Sequence, residues 1–213
     1  MATRKRRGKF IVLEGLDGAG TTTQCEAIAR ALRQRGHEVW VTREPSTGPL
    51  GSLLRQALSG RLTRPGGAPL ADDTLALLFA ADRTDHVASE IEPALARGAV
   101  VLSDRYLLSS LAYQGARLPM AWVAKLNARA LKPDLTLFVA VSLPEAARRR
   151  KARGGDDELF DAPAVQRKTA AQYQKAIALR KKAKEDIVAI DGDLKVAQVT
   201  ALCLSALEKR LGL

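Results

Sequence analysis

Short runs of apolar residues alternate along the chain with longer segments in which apolar residues recur at helical spacing. The short runs predict buried strands, and the longer segments predict amphipathic helices. The predicted strands are residues 9–15, 38–42, 99–103, 134–141 and 187–190. The predicted helices are residues 21–35, 52–58, 71–96, 107–115, 120–131, 145–152, 163–184 and 194–211. Because the strands are apolar on both faces and alternate with helices, the pattern predicts an α/β fold, a five-stranded parallel sheet with helices on both faces.

The composition of the 213-residue chain is that of a folded protein, with 46% hydrophobic and 27% charged residues. It excludes global disorder and allows a substantial core without disulfides or metal clips. The two cysteines, Cys25 and Cys203, are far apart, which excludes a disulfide scaffold and a cysteine zinc site. This cysteine usage favours a reducing, cytoplasmic location. No apolar run approaches the roughly 20 residues of a membrane span, so we expect no membrane partner.

The net charge of +11 is concentrated in two segments. Residues 1–9 hold five basic and no acidic residues, and residues 145–184 hold twelve basic and five acidic residues. The remainder is close to neutral, whereas a broad nucleic-acid surface would distribute its basic residues more widely. We therefore expect no nucleic-acid partner. We predict a disordered basic tail at residues 1–8 and a single domain over residues 9–213.

A glycine-rich segment, Gly15-Leu16-Asp17-Gly18-Ala19-Gly20-Thr21-Thr22, joins the first predicted strand to the first predicted helix. This is the context of a phosphate-binding P-loop, in which backbone N–H groups and the helix dipole attract phosphate oxygens. The hydroxyl of Thr22 would ligate Mg²⁺. The pattern requires lysine where this chain has Thr21, so a glycine-rich turn without nucleotide remains the alternative interpretation of this segment taken alone.

Four arginines lie just beyond strand ends or on the helices that follow: Arg43, Arg55, Arg83 and Arg105. In doubly wound sheets the ligand crevice lies at the carboxyl ends of the strands. The guanidinium group binds two phosphate oxygens at once. One such arginine would be a solvated surface group, whereas four of them at one sheet edge predict a phosphate site.

The order and spacing of several short motifs closely resemble the thymidylate kinase family over residues 9 to about 190. The motifs are EGLDGAGTTTQ (14–24), Thr42-Arg43-Glu44-Pro45, Leu78-Phe79-Ala80-Ala81-Asp82-Arg83, Ser103-Asp104-Arg105-Tyr106 and Ser109-Ser110-Leu111-Ala112-Tyr113-Gln114-Gly115. The resemblance implies a P-loop NTPase fold and a kinase that transfers the γ-phosphoryl group of ATP to dTMP with Mg²⁺. It also implies a homodimer packed through helices on one face of the sheet, with residues 71–96 and 107–131 as candidates.

The resemblance also implies roles for individual residues. The catalytic residues would be Asp17, Asp104, Arg105 and Arg153. The dTMP-binding residues would be Asp17, Arg43, Arg55, Phe79, Arg83, Arg105, Ser110 and Gln114. The ATP-binding residues would be Gly15, Gly18, Ala19, Gly20, Thr21, Thr22, Thr23 and Arg149, with Thr22 and Asp104 as Mg²⁺ ligands. Phe79 would stack on the thymine ring, while Arg83 and Gln114 would bond to its edge. The alternative for Phe79 is plain core packing.

The basic run that follows the fourth strand corresponds to the mobile lid of the family, here residues 148–161. Lid closure would exclude water and bring cations to the transferred phosphoryl group. Arg153 best matches a lid arginine, but Glu158 stands where the family pattern has a further arginine. Our hypothesis is that Arg149, Arg150 or Arg153 substitutes for the missing lysine at Thr21.

Other functions remain open at this point. They are a P-loop nucleotide-binding protein with weak or lost kinase activity, a kinase for another deoxynucleoside monophosphate, and a basic P-loop protein associated with nucleic acid.

Overall fold

A computed structural model describes residues 7–154 and 162–213, apart from the side chain of Arg153. Within these residues, five parallel strands form one sheet in the order β2-β3-β1-β4-β5. The strands are β1 Phe10–Gly15, β2 Val39–Arg43, β3 Val100–Asp104, β4 Leu135–Ala140 and β5 Ile187–Asp191. Each strand end lies within one residue of its predicted position, so the predicted parallel sheet is confirmed.

Helices connect the strands in the predicted order. They are α1 Thr21–Gln34, α2 Pro49–Leu58, α3 Asp72–His86, α4 Glu92–Ala96, α5 Leu107–Tyr113, α6 Met120–Leu126, α7 Leu143–Arg153, α8 Pro163–Lys182 and α9 Val196–Leu211. A π-helical turn at Val87–Ile91 joins α3 to α4, and a 3₁₀ turn at Gln114–Ala116 follows α5. The segment 71–96 is therefore continuous, as predicted, but its hydrogen-bond spacing changes near the middle.

The helix predicted over residues 120–131 is too long, because α6 ends at Leu126. The side-chain amide of Asn127 donates to the carbonyl oxygen of Val123 at 2.9 Å and so satisfies one of the terminal carbonyls. The other end of this amide accepts a hydrogen bond from Arg83, on a different helix. α6 thus ends where Asn127 contacts Arg83, a residue distant in the sequence. The local pattern of apolar residues does not reveal this contact.

The three central strands of the sheet, β1, β3 and β4, are buried on both faces, as their apolar residues require, whereas the edge strand β2 exposes Trp40 and Val41. Successive residues of β1 point to opposite sides, so that Phe10 and Val12 enter one core while Ile11 and Leu13 enter the other. Helices α1 and α9 cover the second core through a set of buried residues that comprises Cys25, Ile28, Leu32, Val199, Cys203 and Leu207. Helices α4, α5 and α8 cover the first core through Leu95, Leu111, Ala112, Tyr173 and Ala176, among others.

The strand register brings the site together at one edge of the sheet. Leu13 of β1 and Arg43 of β2 both pair with Asp104 at the end of β3. The carboxyl ends of the three strands therefore lie side by side, and the loops that leave them share one crevice.

The beginning of the described chain is attached to the domain. The N–H of Gly8 donates to the carbonyl oxygen of Leu95 at 2.8 Å, and Arg7 forms an ion pair with Asp134 at 3.4 Å. Gly8 therefore packs with the domain, while residues 1–6 of the predicted tail lie outside the described residues. No helix in the described ranges combines the length and the apolar character needed to cross a bilayer.

Candidate active site

The glycine-rich loop lies between β1 and α1 and is packed too closely for side chains at two positions. A Cβ atom on Gly15 would lie 2.9 Å from the carbonyl oxygen of Val139, and one on Gly18 would lie 2.5 Å from that of Ala146. Gly18 and Gly20 also have φ angles of 88°, which L side chains rarely adopt. The loop therefore fits between β4 and α7, and its glycines are required by both space and backbone conformation.

The first turn of α1 faces the ligand crevice with hydroxyl groups. Thr21, at the position of the expected lysine, is buried, whereas Thr22 and Thr23 are exposed. The hydroxyl of Thr22 donates a hydrogen bond to Oδ2 of Asp104. The second oxygen of this carboxylate, Oδ1, is buried and accepts no hydrogen bond from any described residue. A carboxylate oxygen without a partner, beside a hydroxyl oxygen, fits the oxygen ligands that Mg²⁺ prefers.

An ion pair between Arg105 and Asp17 connects β3 to the glycine-rich loop. Nη2 of Arg105 lies 2.6 Å from Oδ1 of Asp17, and Nη1 donates to the carbonyl oxygen of Gly15 at 2.9 Å. Oδ2 of Asp17 accepts hydrogen bonds from Tyr113 at 2.7 Å and from Gln166 at 2.8 Å. Burial opposes the ionisation of Asp17, but Arg105 and these hydrogen bonds outweigh it and hold the pKa below its usual value of 3.8.

The backbone of Arg105 is held in an uncommon conformation, with a φ angle of 71°. Residues other than glycine rarely adopt positive φ angles, and those that do cluster at functional sites. The N–H of Arg105 donates to the carbonyl oxygen of Leu13 at 2.8 Å, which fixes the residue directly after β3. The uncommon backbone conformation of Arg105 is therefore combined with a guanidinium that Asp17 and the carbonyl oxygen of Gly15 hold in place.

Behind this pair lies Glu14, a buried carboxylate that the sequence motifs include but to which they assign no role. Its Oε1 accepts hydrogen bonds from the N–H groups of Tyr106 at 2.9 Å and Ser109 at 3.1 Å. Its Oε2 accepts from the hydroxyl groups of Ser109 at 2.6 Å and Tyr173 at 3.2 Å. Burial raises the pKa of Glu14 above its usual value, although these donors oppose the effect. Glu14 therefore anchors the start of α5, from which the next part of the site is built.

A cavity of about 140 Å³, open at its mouth, adjoins the Arg105–Asp17 pair. Six predicted residues line it: Asp17, Phe79, Arg83, Arg105, Ser110 and Gln114. The remaining lining residues have no role predicted from the sequence; they are Glu44, Pro45, Leu58, Tyr106, Ser109 and Tyr113. Gln114 is buried, and its Oε1 has no hydrogen-bond partner among the described residues. The cavity thus combines apolar walls with a polar group that a ligand would satisfy.

Arg83 is buried in the cavity wall and held by several acceptors. Its Nε and Nη2 atoms donate to one oxygen of Glu44 at 2.9 and 2.6 Å. Nη2 also donates to Ser110, at 3.0 Å, and Nη1 donates to Asn127. The second oxygen of Glu44 contacts His86, at 3.3 Å. Both members of the Arg83–Glu44 pair are almost fully buried, so water has little access to the pair. The hydrogen bonds from Arg83 to these protein acceptors therefore fix its orientation.

Arg43 and Arg55 lie outside the lining of this cavity. Arg43 is exposed and lines a neighbouring cavity, together with Thr22 and Asp104. Arg55 lies on α2, and its guanidinium donates to the carbonyl oxygens of Pro45 and Ser46. The structure therefore does not bring these two arginines into the lining of the Phe79 cavity, and their binding of dTMP stays a prediction.

Helix α7 packs on the outer side of the glycine-rich loop. It begins after Ser142, whose hydroxyl accepts a hydrogen bond from the N–H of Glu145 at 3.4 Å. Arg149 donates to the carbonyl oxygen of Ala19 at 3.4 Å, and Arg150 donates to that of Asp17 at 2.7 Å. Residues 155–161 of the predicted lid and the side chain of Arg153 lie outside the described residues.

A second cavity lies on the far side of the loop. Its lining includes Ala19, Gly20, Thr23, Gln24, Glu145, Arg148, Arg149, Leu194, Lys195 and Val196. This cavity lies next to the N-terminus of α1, and it is enclosed by the glycine-rich loop, by α7 and by the segment between β5 and α9. Its position makes it the natural place for a nucleotide whose phosphates lie on the loop.

A parallel sheet whose first strand leads through a glycine-rich loop into a helix defines the P-loop class of nucleotide-binding proteins. The family model described as thymidylate kinase matches residues 13–202. The chain belongs to the thymidylate kinase family.

Individual relatives cover most of the chain. A probable thymidylate kinase of Pyrococcus abyssi is 40% identical over 197 residues, which are 86% of this chain and 96% of that protein. A thymidylate kinase of Thermomicrobium roseum is 42% identical over 175 residues, which are 78% of this chain and 80% of that protein. A thymidylate kinase of Xanthomonas campestris pv. campestris is 39% identical over 206 residues, which are 96% of this chain and 86% of that protein.

Proposed function

We propose that the protein transfers the γ-phosphoryl group of ATP to dTMP and so forms dTDP and ADP on the route to dTTP. One observation carries this proposal: the cavity that contains Phe79, Arg83 and Gln114 opens beside the Arg105–Asp17 pair. A cavity suited to a base and a guanidinium suited to a phosphate are thus adjacent, and both adjoin the glycine-rich loop.

The acceptor nucleotide would lie in this cavity with its base toward α3 and α5. Phe79 offers an aromatic face for stacking, which contributes about 1–3 kcal/mol per nucleic-acid base. Nη1 of Arg83 carries two N–H groups, and Asn127 accepts one of them. The other is available to an acceptor on the thymine edge, and the amide of Gln114 would complement the remaining polar groups. Ser110, already bonded to Arg83, completes this polar side of the pocket.

The acceptor phosphate would lie at Arg105. Its guanidinium is fixed by Asp17 and by the carbonyl oxygen of Gly15, so little reorganisation is needed when the phosphate binds. Asp17 remains ionised at neutral pH, because its pKa is held below the usual value. Arg43 and Arg55 would add positive charge from the strand β2 side and from α2.

The donor nucleotide would lie on the other side of the loop. The loop residues Gly15, Gly18, Ala19, Gly20, Thr21, Thr22 and Thr23 precede or begin α1, whose N-terminal end attracts phosphate. The cavity beyond Gly20 would receive the remainder of ATP, with Arg149 at its wall. Mg²⁺ would be held through Thr22 and Asp104, where it would neutralise charge on the donor phosphates.

Phosphoryl transfer depends mainly on positioning and on charge stabilisation, so this chain needs no general base among its side chains. An oxygen of the dTMP phosphate is the nucleophile. Arg105 would orient it, and Arg149 and Arg150 of α7, which contact the glycine-rich loop, would add positive charge. A catalytic role for the lid residue Arg153 stays a prediction. Closure of α7 and the segment after it would exclude water from the transferred group.

The proposal is tested by a coupled assay of ADP release with ATP, Mg²⁺ and a panel of deoxynucleoside and ribonucleoside monophosphates. We expect kcat/KM to be highest for dTMP. A higher kcat/KM for another monophosphate would reassign the acceptor. No turnover with any monophosphate would instead favour a nucleotide-binding protein without kinase activity.

We also propose a homodimer in a reducing, cytoplasmic compartment. Exposed Leu77 on α3 is an apolar residue on one of the helices expected to pack against a second copy. Both cysteines are free and buried, as a reducing compartment favours. Light scattering or sedimentation at micromolar concentration tests the dimer, and a monomeric mass would contradict it.

A further inference from the structure

The glycine-rich loop carries no cation of its own. Between Glu14 and Gln24 the chain has two acidic residues and no basic residue. Thr21, where the P-loop pattern requires lysine, is buried, and its Cγ2 atom lies below the loop, 3.5 Å from the place of a Cβ on Gly15. The charge that normally faces the donor phosphates must therefore come from another part of the fold.

Three described guanidinium groups contact the loop backbone, and their surroundings differ. Arg105 bonds to the carbonyl oxygen of Gly15, but it lies in the acceptor cavity and is paired with Asp17 at 2.6 Å. Arg149 bonds weakly to Ala19, at 3.4 Å, and its Nε lies 2.6 Å from a carboxylate oxygen of Glu145. Arg150 makes the shorter contact from α7, at 2.7 Å from the carbonyl oxygen of Asp17.

The packing of α7 explains why Arg150 reaches this position. The carbonyl oxygen of Ala146 lies 2.5 Å from the place of a Cβ on Gly18, so this turn of α7 rests directly on the loop. Arg150 is four residues further along the helix and therefore lies on the same face. Because Gly18 has no side chain, α7 packs directly on the loop, and the guanidinium of Arg150 reaches the carbonyl oxygen of Asp17.

We infer that Arg150 supplies the positive charge that the loop lacks and takes the role that a lysine at position 21 would have. The inference rests on the proposed function, since it concerns the phosphates of the donor. In this arrangement the cation belongs to α7 instead of α1, so charge stabilisation depends on how α7 packs on the loop.

The test is a double-mutant cycle in which Arg150→Ala and Thr21→Lys are made singly and together. We expect Arg150→Ala to lower kcat by about 100-fold or more, as for the loss of a group that stabilises charge in the transition state. Thr21→Lys alone should change kcat little. In the Arg150→Ala background it should restore at least about 10-fold, because the two cations would act at the same place. Arg150→Lys, which keeps the charge, should lose far less than Arg150→Ala.

The control is Arg167→Ala, which removes an exposed arginine from α8 in the same basic segment. We expect its kcat to stay within about twofold of that of the unmodified protein. The inference is overturned if Arg150→Ala keeps kcat within twofold, or if the effects of Thr21→Lys and Arg150→Ala simply multiply. Should Arg150→Ala fail to fold by circular dichroism, Arg150→Gln, which keeps most of the stem, replaces it in the cycle.

Calorimetric titration with ATP, without acceptor, separates this inference from the proposed function. We expect the affinity for ATP to fall about 10-fold in Arg150→Ala and to recover when Thr21→Lys is added. If the unmodified protein does not phosphorylate dTMP, the proposed function fails, and the pattern of ATP affinities still decides the role of Arg150. An unchanged affinity in Arg150→Ala, together with an unchanged kcat, would reject that role.

Discussion

Asp17 and Arg105 are 88 residues apart in the chain and form an ion pair of 2.6 Å at the centre of the site. One comes from the glycine-rich loop and the other from the end of β3. The pair therefore joins the glycine-rich loop to the end of β3, and it is possible only because β1 and β3 are neighbours in the sheet.

The lowered pKa of Asp17 predicts a pH dependence of stability. A carboxylate whose pKa is lower in the folded state stabilises that state above its unfolded pKa, here 3.8. This contribution is lost as the pH falls through the lower, folded pKa. We expect Asp17→Asn to lower the free energy of unfolding at about pH 6, and we expect the difference from the unmodified protein to shrink at about pH 3 and below.

Urea unfolding at several pH values measures this difference. Asp72→Asn is the control, since Asp72 pairs with Arg117 at the surface, where both side chains are about one-third exposed. Its effect should be small at every pH. An Asp17→Asn difference that stays constant from pH 6 to pH 3 would contradict the assignment.

Removal of the aromatic ring of Phe79 should weaken binding of the acceptor more than binding of the donor. Phe79 lines the base cavity, and the loss of base stacking amounts to about 1–3 kcal/mol, or roughly 5- to 150-fold in affinity. We expect Phe79→Ala to raise the KM for dTMP within this range and to leave the KM for ATP nearly unchanged. Leu202→Ala, on α9 and 42% exposed, is the control. Equal increases in both KM values would indicate a packing role for Phe79.

The buried Arg83–Glu44 pair should contribute strongly to the integrity of the fold. Both side chains are at most 3% exposed, and a buried charge that loses its partner costs about 3–5 kcal/mol. Glu44→Gln should therefore lower the free energy of unfolding by about 3 kcal/mol or more, as measured by chemical denaturation. The surface pair Arg97–Glu38, with both side chains more than half exposed, offers the comparison. Glu38→Gln should cost less than about 1 kcal/mol, and similar losses in the two variants would refute the prediction.

The hydroxyl of Thr22 should set the requirement for Mg²⁺. Thr22 bonds to Asp104, the residue with a buried carboxylate oxygen that no described group satisfies. We expect Thr22→Ala to raise the Mg²⁺ concentration for half-maximal rate by about 10-fold, because one oxygen ligand is lost. Thr22→Ser retains the hydroxyl and should behave nearly as the unmodified protein does. Coincident Mg²⁺ titration curves for Thr22→Ala and Thr22→Ser would contradict this role.

Local patterns in the sequence predicted much of the fold. A buried parallel strand requires consecutive apolar residues, and a covering helix requires an apolar stripe, so both leave periodic traces in the chain. The glycine-rich loop, which leads to Thr22 in the first turn of α1, could also be recognised from the sequence. Its backbone conformation demands glycines at set positions, as at Gly18 and Gly20.

Other parts of the site depend on contacts between distant segments. Tyr173 and Gln166 on α8 reach the loop across 158 and 149 residues, and no local pattern marks either of them as a site residue. Asn127 ends α6 and holds Arg83 because α3 and α6 pack together. Glu44 belongs to a predicted motif, but its pairing with Arg83 is seen only in the folded chain. Whether Arg43 and Arg55 line the same cavity as Arg83 and Arg105 was not readable from the sequence either, because proximity to a strand end does not fix the direction of a long side chain.

Periodicity and ordered motifs were enough to locate the strands, most helix positions, the glycine-rich loop and six residues that line the Phe79 cavity. Only the packing of distant segments shows which groups orient Arg83 and Arg105, and which arginines of the basic run contact the loop. These outcomes depend on burial and on strand order, which bring together residues that are more than 80 positions apart, such as Asp17 and Arg105 or Asp17 and Arg150. The cation that we infer to replace a lysine at position 21 therefore depends on how α7 packs on the loop.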